Sequence, residues 1–203
     1  MNYGDYAYIE YFPRGMYQFY PDANLGRMSQ IFQVWVRPVP PEQAHFAIRV
    51  VKYELDRLVR DGMTEEAFEA TRDYLSKFTA VLTQSQDRQL GYGLDARFYG
   101  TPEFTEFVGK GLAALTLDDV NRVIREHLRP ENMAIVAVAP DAERLAEALA
   151  TDAPSPMTYN AEMPAEVLAE DAVIERYPLG IAPEAVRIVP EAEVFERRLL
   201  PRE

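Results

Sequence analysis

Two long stretches of helical periodicity meet at Gly62-Met63-Thr64, and this junction limits the possible folds more than any other feature of the chain. Ala44, Ile48, Val51, Leu55 and Leu58 recur at spacings of three or four, which places them on one side of a helix over Glu42–Arg60. Gly62 fits its C-terminal stop. Thr64 is a good N-cap for the next helix. Met63 and Phe68 stand at the two positions of a hydrophobic staple, and Glu65 and Glu66 fall in the first turn, where the helix field favours acid. The second apolar stripe runs Phe68, Thr71, Leu75, Phe78, Leu82. It continues through a Gln-rich middle toward Leu94 or Phe98, with Gly91 and Gly93 as points of bending.

Strand periodicity flanks these helices. In Tyr6–Phe12, Tyr6, Tyr8 and Glu10 alternate with Ala7, Ile9 and Tyr11 until Pro13 and Gly15 end the pattern. Ile31–Arg37 alternates in the same way and stops at Pro38, because proline cannot donate a ladder hydrogen bond. Gly100–Pro102 breaks the helical pattern, and a short helix follows over Glu103–Gly111. Thr116 then repeats the Thr64 device, with Leu115 and Val120 as the staple pair and Val120, Val123, Ile124 and Leu128 as an inner face. Met133–Ala139 is short and continuously apolar, which predicts a strand buried on both faces. A last helix carries Leu145 and Leu149 inward. The resulting order predicts an α+β layer, with helices packed on one face of a mostly antiparallel sheet over residues 1–150. Residues 151–203 hold 7 of the 15 prolines with 11 acidic and 5 basic residues. They show short extended pieces at Ile174–Ile181 and Ala185–Val189 and no evident long helix. This segment reads as an acidic, proline-rich tail that wraps the domain or a neighbour, or as a partly disordered linker.

Composition narrows the chemistry. A formal net charge of -12 repels phosphate backbones, so no nucleic-acid partner is expected. There is no cysteine, which excludes disulfides, thiol nucleophiles and Cys-ligated metal sites. No apolar run approaches the roughly 20 residues that span a bilayer, and no signal peptide is visible. His45 and His127 stand far apart in the chain, whereas a zinc hydrolase helix needs two histidines one turn apart with a glutamate beside them. Both read as half-exposed helix residues, and no metal ligand or catalytic residue is assigned. Glu65/Glu66 and Asp118/Asp119 read as first-turn acids. Arg88 and Tyr92, four apart, read as a helix-surface cation–aromatic pair. The first twenty residues are crowded with aromatics, and Tyr3, Tyr6 and Tyr8 are candidate contacts to another chain or to an extended peptide, since a phenol joins an apolar face to one hydroxyl.

In order along the chain stand Asn2-Tyr3-Gly4-Asp5-Tyr6-Ala7-Tyr8, the Ile31–Arg37 strand with its Arg-Pro end, Gly62-Met63-Thr64-Glu65-Glu66, Arg97-Phe98-Tyr99-Gly100, Leu115-Thr116-Leu117-Asp118-Asp119-Val120, Tyr177-Pro178-Leu179-Gly180-Ile181 and Val186-Arg187-Ile188-Val189-Pro190. Together they resemble the C-terminal, non-zinc-binding half of pitrilysin/insulinase-type zinc metallopeptidases, in the branch that includes the mitochondrial processing peptidases. The resemblance implies the metallopeptidase-homologous α/β domain of that family, incomplete at its N-terminus. In the family the first half carries a His-x-x-Glu-His zinc helix. The second half supplies an arginine and a tyrosine near the scissile bond. Tyr3 matches the tyrosine, and the arginine would fall before Met1. By this resemblance the chain is a catalytically silent segment that helps form the substrate chamber. It closes on a zinc-bearing N-terminal half or partner subunit, which supplies the zinc cofactor and hydrolyses unfolded peptides. The parent would be bacterial, with a periplasmic or extracellular location open to it. The chain is then an excised fragment, a gene start placed late or a natural short homologue. The competing expectation is a stand-alone, non-enzymatic scaffold or assembly subunit, including a homo-oligomer, that uses its tyrosine-rich strand as an interface.

Overall fold

The computed structural model describes residues 6–10, 20, 22–24 and 31–196. β1 (Tyr6–Glu10) and β2 (Ile31–Trp35) form an antiparallel ribbon in which Tyr6 stands opposite Trp35 and Tyr8 opposite Gln33. A 3-10 turn at Pro41–Gln43 leads into α1 (Ala44–Asp61). Then come α2 (Glu65–Leu82), α3 (Gln86–Tyr99), α4 (Phe104–Ala114), α5 (Leu117–His127), α6 (Ala142–Ala150), α7 (Ala165–Ile174) and α8 (Glu191–Glu196). The chain divides into two compact units. One comprises residues 1–37 and 57–128, the other residues 38–56 and 129–203, so that α1 contributes to both.

The expected helix-on-sheet layer is not there. Among the described residues the ribbon is two-stranded, and the main helix packing is of α2 and α3 against α4. The reason lies at Met133–Ala139, which was to be a strand buried on both faces. The segment takes no regular secondary structure, no described strand pairs with it and most of it is exposed. A run of apolar, β-branched residues states a preference for extended backbone. A sheet also needs a neighbouring edge, and that requirement is non-local.

The helix boundaries follow local chemistry closely. Thr64 Oγ1 accepts from the Ala67 N–H at 3.2 Å. Thr116 and Asp119 close a reciprocal capping box. Gly62 ends α1 with φ of 75°, and its missing side chain leaves room for Asn121 of α5. Asn121 Oδ1 accepts from the Met63 N–H at 2.7 Å and its Nδ2 donates to the Met63 carbonyl at 3.3 Å, so one side chain clasps the turn between α1 and α2.

Two expectations about the helices need correction. The second stripe does not run on to Leu94 and Phe98. α2 ends at Thr83, and Ser85 caps a new helix by accepting from the Arg88 N–H at 3.3 Å. The break resets the helical phase. α3 therefore buries Gly91, Tyr92 and Ala96 and turns Leu94 and Phe98 outward. The acidic C-terminal segment also contains a helix, α7, which begins directly after Pro164; an alanine- and glutamate-rich stretch with proline before it suits a helix start.

Candidate functional site

In the unit of residues 57–128, with the ribbon and residues 20 and 22–24, an aromatic cluster forms the core. Tyr92 stacks on Phe104 with ring centroids 3.9 Å apart and planes 9° apart. Tyr20 meets Phe104 edge-on at 5.6 Å and stacks on Phe78 at 6.0 Å. The Tyr20 hydroxyl accepts from Thr79 Oγ1 at 3.1 Å. Gly91 is a glycine because residues 23 and 24 press against it: an added Cβ would lie 2.7 Å from Ala23 Cβ. That close approach lets Arg88 Nη1 reach Asp22 Oδ1 at 2.9 Å and lets the Asn24 N–H donate to Asp95 at 3.0 Å. Arg88 and Tyr92 are thus not a surface cation–aromatic pair. Tyr92 is buried and Arg88 ties α3 to Asp22, far back in the chain before β2.

In the other unit a single guanidinium organises the chain. Arg49 of α1 is 1% exposed. Its Nε donates to the Tyr177 carbonyl at 3.0 Å. Nη1 faces the Ala153 carbonyl, Ser155 Oγ and the Glu175 carbonyl at 2.8, 2.7 and 2.6 Å. Nη2 reaches the Asp152 carbonyl and Oδ1 at 3.0 and 2.8 Å. Asp152 takes up a left-handed conformation, φ 49°, that turns both of its oxygens toward the same donor. Tyr177 adds an edge-on contact with Tyr53 at 5.2 Å and a hydroxyl bond to Asp56 at 2.9 Å.

One turn before Arg49 lies His45. It is buried rather than half-exposed, and its Nε2 has no hydrogen-bond partner among the described residues. Burial, then the Arg49 guanidinium, lowers its pKa below the usual 6.5, against the opposing pull of Asp152. The folded state therefore holds His45 neutral more firmly than the unfolded chain does. Stability is fully present above about pH 6.5 and declines as pH falls from there toward the depressed folded value. Urea midpoints measured from pH 8 to pH 5 should fall across that window. His45→Gln should flatten the fall; an unchanged slope in the variant would assign it to other groups.

Of the three candidate contact tyrosines, only two fall among the described residues. Tyr3 lies outside the described residues. Tyr6 and Tyr8 stand at alternate register positions of β1. Asp119 spends its carboxylate on the Thr116 hydroxyl at 2.6 Å, and that bond with the Thr116 backbone holds it below the ordinary carboxylate range. His127 is exposed at the end of α5 with Val123 one turn back, and His45 has Arg49 one turn on, so neither helix offers the donor set that a zinc ion takes. Among the described residues no three His, Cys, Asp or Glu side chains cluster as metal ligands, and no helix is long and apolar enough to cross a membrane.

What the chain does present is uncovered apolar surface. On α3, Leu90, Leu94 and Phe98 follow one another at four-residue spacing and are 65%, 50% and 81% exposed. Beyond the end of α3, Pro102, Phe107, Val108, Leu112 and Leu115 line a shallow depression of about 460 Å³ on α4. Sequence reasoning assigned Leu94 and Phe98 to the interior; the Ser85 cap was the signal that would have rotated them out. Comparison with protein-family models, with curated proteins and with solved structures finds no match.

Proposed function

We propose that this chain is the non-catalytic half of a two-part zinc peptidase, closing on a zinc-bearing half and helping to form the chamber that holds unfolded peptides. The observation that carries this reading is the Leu90–Leu94–Phe98 stripe. Large apolar side chains in a continuous row on a helix are costly in water and mark a surface meant for another polypeptide. The ordered motifs resemble the second half of pitrilysin/insulinase-type peptidases, and that resemblance supports a zinc-bearing half as the partner. Zinc, the activated water and the general base would all come from the complementary half. This chain's part is to bind, to position peptide and to exclude solvent.

The test mixes the purified chain with a zinc-bearing half of a pitrilysin-type peptidase made without its own second half. A stoichiometric complex by light scattering, with chelator-sensitive cleavage of an unfolded fluorogenic peptide only in the mixture, is the expected result. Chelator-sensitive cleavage by this chain alone would overturn it. So would the absence of a complex, and a chain that then proved to self-assemble would favour the scaffold reading.

A further inference from the structure

Arg49 pins the neck of a closed loop. The Ser155 N–H donates to the Glu175 carbonyl at 3.0 Å, and Arg49 Nη1 donates to that same carbonyl and to Ser155 Oγ. Residues 156–174, α7 included, therefore leave α1 and return to it at one point. Inside the loop the Tyr159 hydroxyl donates to Asp171 at 2.7 Å, which ties the outgoing chain to α7. Beyond the neck, the Tyr177 hydroxyl reaches Asp56 of α1, and Gln43 Nε2 donates to the Thr158 carbonyl at 3.4 Å.

His45 stands one helical turn from that guanidinium, at the spacing that makes two side chains neighbours. It is 6% exposed, and its Nε2 has no partner among the described residues. As a neutral imidazole it is a largely apolar ring with one unmet nitrogen. As an imidazolium it would be a buried cation with an Nε2–H and no acceptor. The charges that act on it are the Arg49 guanidinium on its own helix and the Asp152 carboxylate from the chain after α6. Asp152 already accepts from Arg49 Nη2 at 2.8 Å, so one carboxylate would face two cations. Opening the neck relieves both difficulties at once. Water reaches the imidazolium, and the guanidinium moves away from it.

We propose that His45 is the trigger of a pH-sensitive clasp, its protonation freeing residues 152–177 from Arg49 while α1 stays folded. α1 keeps its shape because its backbone hydrogen bonds run within the helix and its Lys52–Asp56 pair lies inside it. α7 does not, since a ten-residue helix without packing is marginal in water. The clasp is fully closed above about pH 6.5, the ordinary histidine value, and acid opens it as pH falls from there. This is a local opening within one unit, and it does not depend on a zinc-bearing partner.

Hydrogen–deuterium exchange of the full chain, corrected for the intrinsic pH dependence of exchange, tests the clasp. Between pH 7.5 and pH 5.5, protection at Ser155 and over residues 165–177 should fall by roughly threefold or more, and by no more than about tenfold per pH unit, the limit for one proton. The amides of residues 50–56 in α1 should keep theirs. His45→Gln, which does not titrate in this range, should hold the loop's protection level throughout. Where glutamine disturbs folding, nuclear magnetic resonance of the parent serves instead: the His45 ring should titrate below pH 6.5, over the interval in which loop protection is lost. Three results would each overturn the clasp. They are loop protection indifferent to pH, a loss shared equally by residues 50–56, and a loss that persists in His45→Gln or runs out of step with the ring titration.

Discussion

Arg49→Met destabilises the unit of residues 38–56 and 129–203 by about 3 kcal/mol, chiefly through the buried acceptors it strands, since Asp152 is 39% exposed and stays hydrated. Methionine keeps much of the side-chain volume, so packing is not what is lost. The carbonyls of Asp152, Ala153, Glu175 and Tyr177 and the Ser155 hydroxyl would be left without the donor they now share. Leaving one buried acceptor unmade costs about 1–3 kcal/mol. Arg49→Lys separates charge from shape. An ammonium keeps the attraction to Asp152 but cannot span acceptors spread from residue 152 to residue 177, so an intermediate loss is expected. Urea unfolding gives the size of the effect, and hydrogen exchange over residues 152–177 gives its location. A methionine variant as stable as the parent would show that the polypeptide segments on α1 hold together without the guanidinium.

Arg49 also shows where sequence reading stops. The periodic stripe Ala44–Ile48–Val51–Leu55–Leu58 was legible, yet the most deeply buried residues of α1 are His45, Phe46, Ala47 and Arg49. An arginine counts as surface in any pattern of apolar spacing. Only the distant segments Asp152–Ser155 and Glu175–Tyr177 offset the cost of its burial, and nothing near residue 49 announces them. Caps were legible for the opposite reason. Thr64 and Thr116 bond groups three residues away, so the whole interaction lies inside the window that was read. Ser85 was equally local, but a Gln-rich helical continuation hid it, and missing one cap turned the face of α3.

The sheet failed at a different level. The strand tendencies of Tyr6–Glu10, Ile31–Trp35 and Met133–Ala139 were visible as alternation or as a short apolar run, but only the first two are strands. Pairing joined the first two and left the third alone. Alternation specifies a face, and an apolar run specifies burial, but neither names the strand on the other side of the ladder. For the candidate site the same limit applies. Tyr3, Tyr6 and Tyr8 were chosen for side-chain chemistry, whereas the exposed surface of α3 arises from a helical phase that depends on where the helix begins.

Tyr92→Ala should cost the aromatic unit about 3–5 kcal/mol, the range for deleting a large buried aromatic side chain. The ring is stacked on Phe104, and its chain neighbour Gly91 is held close to Ala23 and Asn24, so little can move in to fill the space. Part of the loss is specific to the stacked pair. A cycle of Tyr92→Ala, Phe104→Ala and the double variant should return a coupling of about 0.5–1.5 kcal/mol. Tyr92→Phe keeps the ring face on Phe104, so it should stay within about 1 kcal/mol of the parent. The near-ultraviolet circular dichroism of the cluster should collapse in the alanine variant and survive in the phenylalanine one. The same ring also governs the outward stripe. Tyr92 fixes the rotation of α3, which sends Leu90, Leu94 and Phe98 to the surface. If Tyr92→Ala lowered stability yet bound a zinc-bearing half as tightly as the parent, the exposed stripe would not be the surface that the partner reads.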